Sequence, residues 1–271
     1  RLKIFCSRLD IFSRSRLILS CVRKFDSSST AETIFSSSIR SRNSVDPSSP
    51  TGAFKLEVQE AQQRVHLQTH LMGDYNVDNV LGVMAALRAM NMPLNQVTEV
   101  CARLQAVPGR MEKVAGVEGI ELPLTVVDYA HTPDAVIQTL SNLKRVAQSL
   151  NSKLWCVLGC GGDRDVSKRP LMAAAAESEA DHVVLTSDNP RSEDPLAIVR
   201  DIRNGLDAQA KVQVQIDRAQ AIAWALSQAQ PDDVVLIAGK GHETYQEVGA
   251  QRLPFSDVEQ VQLARRAEPL A

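Results

Sequence analysis

A doubly wound α/β domain, built on a mostly parallel sheet, is the fold that the sequence predicts from about residue 106 to the end. Three observations lead to it. Short apolar runs recur along this part of the chain: Leu124–Val127, Leu154–Leu158, His182–Leu185, Val212–Ile216 and Val234–Ala238. Each has the length and composition of a buried strand. Stretches of helical spacing lie between them, so strand and helix alternate. Finally, Leu154 to Arg191 reads as strand, glycine turn, helix, strand within about 35 residues, a βαβ unit whose two strands run parallel.

The elements follow in chain order. Residues 1–51 are rich in Ser and Arg and poor in acids. They fit either a transit-peptide-like leader or a segment foreign to the fold, and low order is expected there. Phe54 to Leu71 alternates apolar positions around a polar middle, as a hairpin does. After Gly73-Asp74-Tyr75-Asn76, the residues Val80, Val83, Met84 and Leu87 recur at helical spacing, and Leu94–Leu104 reads as a second helix. Pro108-Gly109 marks a boundary. Helices are then expected at Pro133–Ser149, after Pro170, and at Asp194–Leu206, Ala219–Ala229 and Asp257–Ala267, in the gaps between the strands. The resulting division is 1–51, 52–105 and 106–271.

Composition narrows the function. With 271 residues, 44% of them hydrophobic, the chain can bury a sizeable core, and a net charge of −2 gives no reason to expect nucleic acid or an anionic membrane as partner. The five cysteines (Cys6, Cys21, Cys101, Cys156, Cys160) form no CxxC pair and no metal-ligand spacing. Such a scattered, odd set fits a reducing, cytoplasmic compartment. No apolar run approaches the length of a transmembrane helix, so no membrane insertion is expected.

In open parallel sheets, ligands bind beyond the carboxyl ends of the strands. Four of the expected strands end in charged or polar sequence: Asp128 and His131, Arg164, Asp188 to Arg191, and Lys240 to Glu243. A site is therefore expected along that edge, with Arg164 and Arg191 suited to bidentate binding of a carboxylate or phosphate. Gly159, Gly161 and Gly162 do not make a dinucleotide fingerprint. They either permit a tight turn with positive φ angles or admit a ligand close to the backbone. Gly239-Lys240-Gly241 lacks the Ser or Thr of a P-loop, and no G-x-x-x-x-G-K-[ST] occurs anywhere in the chain.

Taken together, GDYNVDN (73–79), PGRME (108–112), DYAHTPD (128–134), GCGGDRD (159–165), DNPR (188–191) and GKGHE (239–243) resemble the Mur ligases, in the branch that adds meso-diaminopimelate. The resemblance covers about Phe54 to Ala267. It implies an ATP- and Mg2+-dependent ligase of peptidoglycan synthesis, a cytoplasmic monomer. Such an enzyme phosphorylates UDP-MurNAc-L-Ala-D-Glu, and the diaminopimelate amine attacks the acyl phosphate. It further implies that 52–105 is the end of a central ATPase domain and 106–271 the C-terminal amino-acid-binding domain. Carried over by position, Asn76, Asn79, Arg110, Asp128 and His131 correspond to nucleotide contacts, His131 being also the one candidate for a catalytic role. Arg164, Asp188, Asn189, Pro190, Arg191, Gly239 and Glu243 correspond to the diaminopimelate pocket, and no metal ligand is carried over. The family's P-loop, carbamylated lysine, magnesium ligands and nucleotide-sugar domain have no counterpart in the sequence. An N-terminally truncated ligase, inactive by itself, is expected, with a non-catalytic binding module derived from such a ligase as the alternative.

Overall fold

The computed structural model describes residues 40–45, 53–116, 122–207, 209 and 212–266. Of the segment 1–51, only residues 40–45 fall within that set; they pair as strand β1, Arg40–Val45, where no element was expected. The rest of the expected leader, with Cys6 and Cys21, lies outside the described residues, as does Ala267.

Two compact units divide the chain. The smaller takes its residues from 1–44, 55–68 and 77–103, and the larger from 45–54, 69–76 and 104–271. Strands β1, β2 (Ala53–Glu60) and β3 (Gln63–Met72), most of whose residues belong to the smaller unit, lie side by side in one sheet. The two-residue turn between β2 and β3 has Ala61 at φ 52°. Helices α1 (Asp74–Ala89) and α2 (Leu94–Ala102) add Val80, Met84, Leu94, Val97 and Cys101 to the buried side chains of this unit.

The larger unit holds the site. Its sheet has the order β4-β5-β9-β6-β7-β8, formed by Glu112–Lys113, Leu124–Asp128, Val234–Ala238, Leu154–Cys160, His182–Ser187 and Val212–Val214 respectively. All pairs are parallel except β4–β5. Strand β9 is the last of these six strands in the chain but lies between β5 and β6, so the winding reverses inside the sheet. Because strand side chains alternate, two cores form. Leu154, Cys156 and Leu158 join Val234 and Leu236 on one face, packed against α3 (Pro133–Ser149), α4 (Lys168–Glu179) and α5 (Pro195–Arg203). Trp155, Val157, Val235 and Ile237 join Val261 on the other, against α6 (Arg218–Gln228) and α7 (Asp257–Arg266).

Helix starts are marked by local chemistry. Thr132, Asp194 and Asp217 each cap a helix by accepting a backbone N–H, and Pro133 and Pro195 occupy first-turn positions whose N–H has no helical partner. Register brings Asp128, Leu158 and Ala238 into one row, with Leu185 beside Leu158. The four polar strand ends therefore emerge along a common edge. Among the described residues, no helix is long and apolar enough to cross a membrane.

Candidate functional site

A cavity of about 430 Å³ opens at that edge. Tyr129 and His131 reach it from β5, Gly159, Gly161 and Arg164 from β6, Asp188, Asn189 and Arg191 from β7, and Gly239 and Glu243 from β9.

Charge beneath the cavity is organised in two layers. Arg218 and Asp257, both wholly buried, form a bidentate pair, with Nε and Nη2 each 2.7 Å from a carboxylate oxygen. Arg218 also donates Nη2 to the carbonyl of Ala238 at 3.0 Å and Nη1 to that of Ser187 at 3.4 Å, bracing the ends of β9 and β7 from below. Above it, Lys240 Nζ donates to Asn189 Oδ1 (2.9 Å), Glu243 Oε2 (3.2 Å) and Asp188 Oδ1 (3.4 Å). Burial pushes the Asp188 carboxyl above its usual range, and the positive charges of Arg218 and Lys240 oppose that rise.

The rim is basic. Arg164 is exposed and makes no ion pair among the described residues. Arg191 donates Nη1 to the Gly162 carbonyl at 2.8 Å, and its Nε lies 2.9 Å from Glu247 Oε2. Its backbone is left-handed, at φ 53°, and is gripped on both sides: its N–H donates to Glu247 O, and its carbonyl accepts from Gly249 N. These grips come from the hairpin of β10 (Tyr245–Val248) and β11 (Gln251–Pro254). Asp163 accepts from both the N–H and the hydroxyl of Ser192, which ties the β6 loop to the β7 loop and holds the Asp163 carboxyl below its usual range.

Of the two purposes expected of the glycines, the positive φ is not met, whereas Gly159 and Gly161 do line the cavity. Gly159, Gly161 and Gly162 do not have positive φ. Gly159 and Gly162 pack chain on chain: an added Cβ would lie 2.9 Å from the Thr186 carbonyl at Gly159 and would collide with the Pro190 carbonyl at Gly162, while at Gly161 it would meet the movable end of the Arg191 side chain at 2.9 Å. Positive φ belongs to Gly239 (116°), where a Cβ would come 2.8 Å from the Asp188 carboxylate, and to Gly109 (69°), which packs on the Gly241–His242 backbone.

Not all of the expected site residues meet. Pro190 lines a separate hollow of about 330 Å³ with Ile216 and Phe255. Both Asp128 oxygens are engaged inside the protein, one by Met111 N (2.7 Å) and the other by the Thr139 hydroxyl (3.2 Å), and burial raises this carboxyl too. Arg110 lies outside the cavity with its guanidinium 4.9 Å from the Tyr129 ring centre. His131 is exposed at the cavity mouth, its Nδ1 2.8 Å from the Tyr129 carbonyl. Asn76 donates to the Met72 carbonyl (2.7 Å), and Asn79 lies on α1 in the smaller unit.

Arg218, Glu247 and the β10–β11 hairpin went unread in the sequence, and the buried role of Lys240 was missed. The signal for Lys240 was available, since a lysine directly after an all-apolar strand is placed at the buried end of the sheet. Cys160 is a cavity residue of another kind. Its thiol, 3.7 Å from Met172 Sδ, is pushed up to about 12 by burial and stays a neutral packing group.

Comparison with known proteins returns one family description, "Mur ligase, glutamate ligase domain", over residues 109–241. A UDP-N-acetylmuramoyl-L-alanyl-D-glutamate–2,6-diaminopimelate ligase of Acidovorax sp. (strain JS42) is 54% identical over 219 residues, 80% of this chain and 43% of that protein. Its counterpart in Janthinobacterium sp. (strain Marseille) is 47% identical over 78% of this chain and 41% of its own length. A solved structure of a ligase of the same name superposes with a TM-score of 0.61 at 41% identity, covering 79% of this chain and 43% of that one. The chain thus spans less than half the length of these relatives.

Proposed function

Because the chain belongs to the Mur ligases, through a C-terminal domain of that family, we propose that its charged cavity holds 2,6-diaminopimelate for an amide-forming ligation in peptidoglycan synthesis. The observation that carries this reading is the polarity of the cavity. Two guanidiniums, Arg164 and Arg191, stand at its rim, and the carboxylates of Asp188 and Glu243 lie at its floor. A diamino diacid presents both charges at each end, so a guanidinium takes a carboxylate while the acidic floor takes an ammonium. The remaining amine stays outside as the nucleophile. In the full reaction it attacks an acyl phosphate that ATP forms on UDP-MurNAc-L-Ala-D-Glu.

The share of the work assigned to this chain is binding and orientation. We assign residues 106–271 to the amino-acid-binding domain and 52–105 to the end of an ATPase domain. In the larger unit, Arg110 and His131 are the groups suited to nucleotide phosphates, being cationic or polar and exposed. Among the described residues, no cluster of three His, Cys, Asp or Glu side chains could hold a metal. A second reading is a binding module without catalysis, built on the same cavity. Both readings require the cavity to take the amino acid. Titration of the 15N-labelled chain with meso-diaminopimelate tests this: the amides of Gly161, Arg164, Asn189, Arg191 and Gly239 should shift together. Shifts confined to other surfaces, or none, would remove the assignment.

A further inference from the structure

Lys240 follows β9 with its side chain fully buried. It is absent from the cavity lining, although its neighbours Gly239 and Glu243 are part of it. The residues on either side, Gly239 at φ 116° and Gly241 at φ 54°, let the backbone fold so that the lysine turns inward. An ammonium has three N–H donors. Here three side-chain oxygens, on Asp188, Asn189 and Glu243, lie within reach of them.

All three side chains line the cavity. Asn189 shares the arrangement, donating Nδ2 to Glu243 Oε2 at 2.9 Å and accepting from the Glu247 N–H at 3.0 Å. Oε2 of Glu243 is thus occupied twice, which turns Oε1 into the oxygen available to a ligand. A buried ammonium is costly to desolvate and contributes little to stability as an ion pair. What it supplies here is geometry. We propose that Lys240 is a positioning residue for the ammonium-binding half of the cavity, fixing the side chains of Asn189 and Glu243 from behind without touching the ligand. The proposal deepens the diaminopimelate reading and, for its ligand, rests on it.

Two roles for Lys240 predict opposite results. If it were a countercharge alone, removing it would leave the floor more negative and tighten the grip on an ammonium. As a positioning residue, its removal frees Asn189 and Glu243, and binding weakens. The test uses the whole chain with Lys240→Met, similar in length and uncharged, and Lys240→Gln, which keeps a donor for Asn189. In the unliganded protein, the Nδ2 protons of Asn189 should exchange with water roughly tenfold faster or more in Lys240→Met. Calorimetric affinity for meso-diaminopimelate should fall by roughly tenfold or more, with part recovered in Lys240→Gln. Unchanged Asn189 exchange, or equal or tighter ligand binding in Lys240→Met, overturns the proposal. If the parent chain takes up no diaminopimelate while Asn189 still loosens, the ligand reading fails and the positioning role stands. Should Lys240→Met not fold, Lys240→Gln carries both comparisons, with a smaller change in the same directions.

Discussion

Replacing Arg218 with Met strips the guanidinium from a site with no access to water. Asp257 then keeps a wholly buried carboxylate whose two 2.7 Å partners are gone. Breaking a buried pair from one side costs roughly 3–5 kcal/mol. For a domain of this size, one kcal/mol corresponds to about 2–4 °C in Tm, so a drop of roughly 6–20 °C is expected from these two figures. The loss should depend on pH. Burial already raises Asp188, and Arg218 is the first charge opposing that rise. A carboxyl whose folded pKa is raised contributes stability that is present below its unfolded value and lost as pH rises through the folded value. Without Arg218 this loss deepens, and the deficit of the variant should grow from about pH 4 to pH 7, on either side of the carboxylate range. Pairing Arg218→Met with Asp257→Leu removes both charges and should restore most of the Tm. Binding should stay weak, because the Ala238 and Ser187 carbonyls have lost their brace. Thermal unfolding followed by circular dichroism reads all three proteins. A single variant within about 2 °C of the parent, far less than the cost of an orphaned buried charge, or a double variant no better than the single, would refute the reasoning.

Gly239→Ala should destabilise the larger unit and weaken amino-acid binding, since its Cβ would meet the Asp188 carboxylate at a φ of 116°. Gly82→Ala is the contrast: it is helical with nothing within 4 Å, and should gain up to about 1 kcal/mol in denaturant unfolding. Asp163, held below its usual range by Ser192, supplies loop stability that is present above its unfolded pKa and lost as pH falls through the folded one. The Ser192 amide resonance should therefore move at a pH below about 3.9, the free Asp value, and Asp163→Asn should abolish that titration. The 271-residue chain should release no ADP from ATP with all ligase substrates present; turnover that purifies with it and falls in His131→Ala would contradict this.

Strands β5, β6, β7 and β9 were legible because each is buried on both faces and so reads as an unbroken apolar run. Their edge was legible because each apolar run gives way there to charged or polar residues, several of which the fold still buries. The place of β9 between β5 and β6 was not, because strand order is decided by the crossovers. The β10–β11 hairpin escaped notice because its residues are half-buried or exposed and carry no apolar alternation; the Gly249 turn at φ 58° was its one local sign. Lys240 was read against a P-loop and set aside, although its burial follows from the strand that precedes it. The positive φ expected at Gly159, Gly161 and Gly162 failed, and at Gly159 and Gly162 the reason is that a glycine is needed equally where two backbones touch. Sequence alone does not separate those two needs.

Selectivity between meso-diaminopimelate and L-lysine tests the account most directly. The two differ by one carboxylate, and the account assigns that carboxylate to the Arg191 guanidinium, held by Glu247 and the Gly162 carbonyl. Losing one partner of a charge-assisted contact that the bound ligand buries costs about 2–5 kcal/mol, roughly 30-fold or more in affinity. The measurement is a calorimetric titration of the parent chain and of Arg191→Ala with each amino acid. The account predicts that the parent prefers meso-diaminopimelate by about that factor and that Arg191→Ala loses the preference with little change toward lysine. Equal losses for both amino acids, or a preference that survives the substitution, would contradict it.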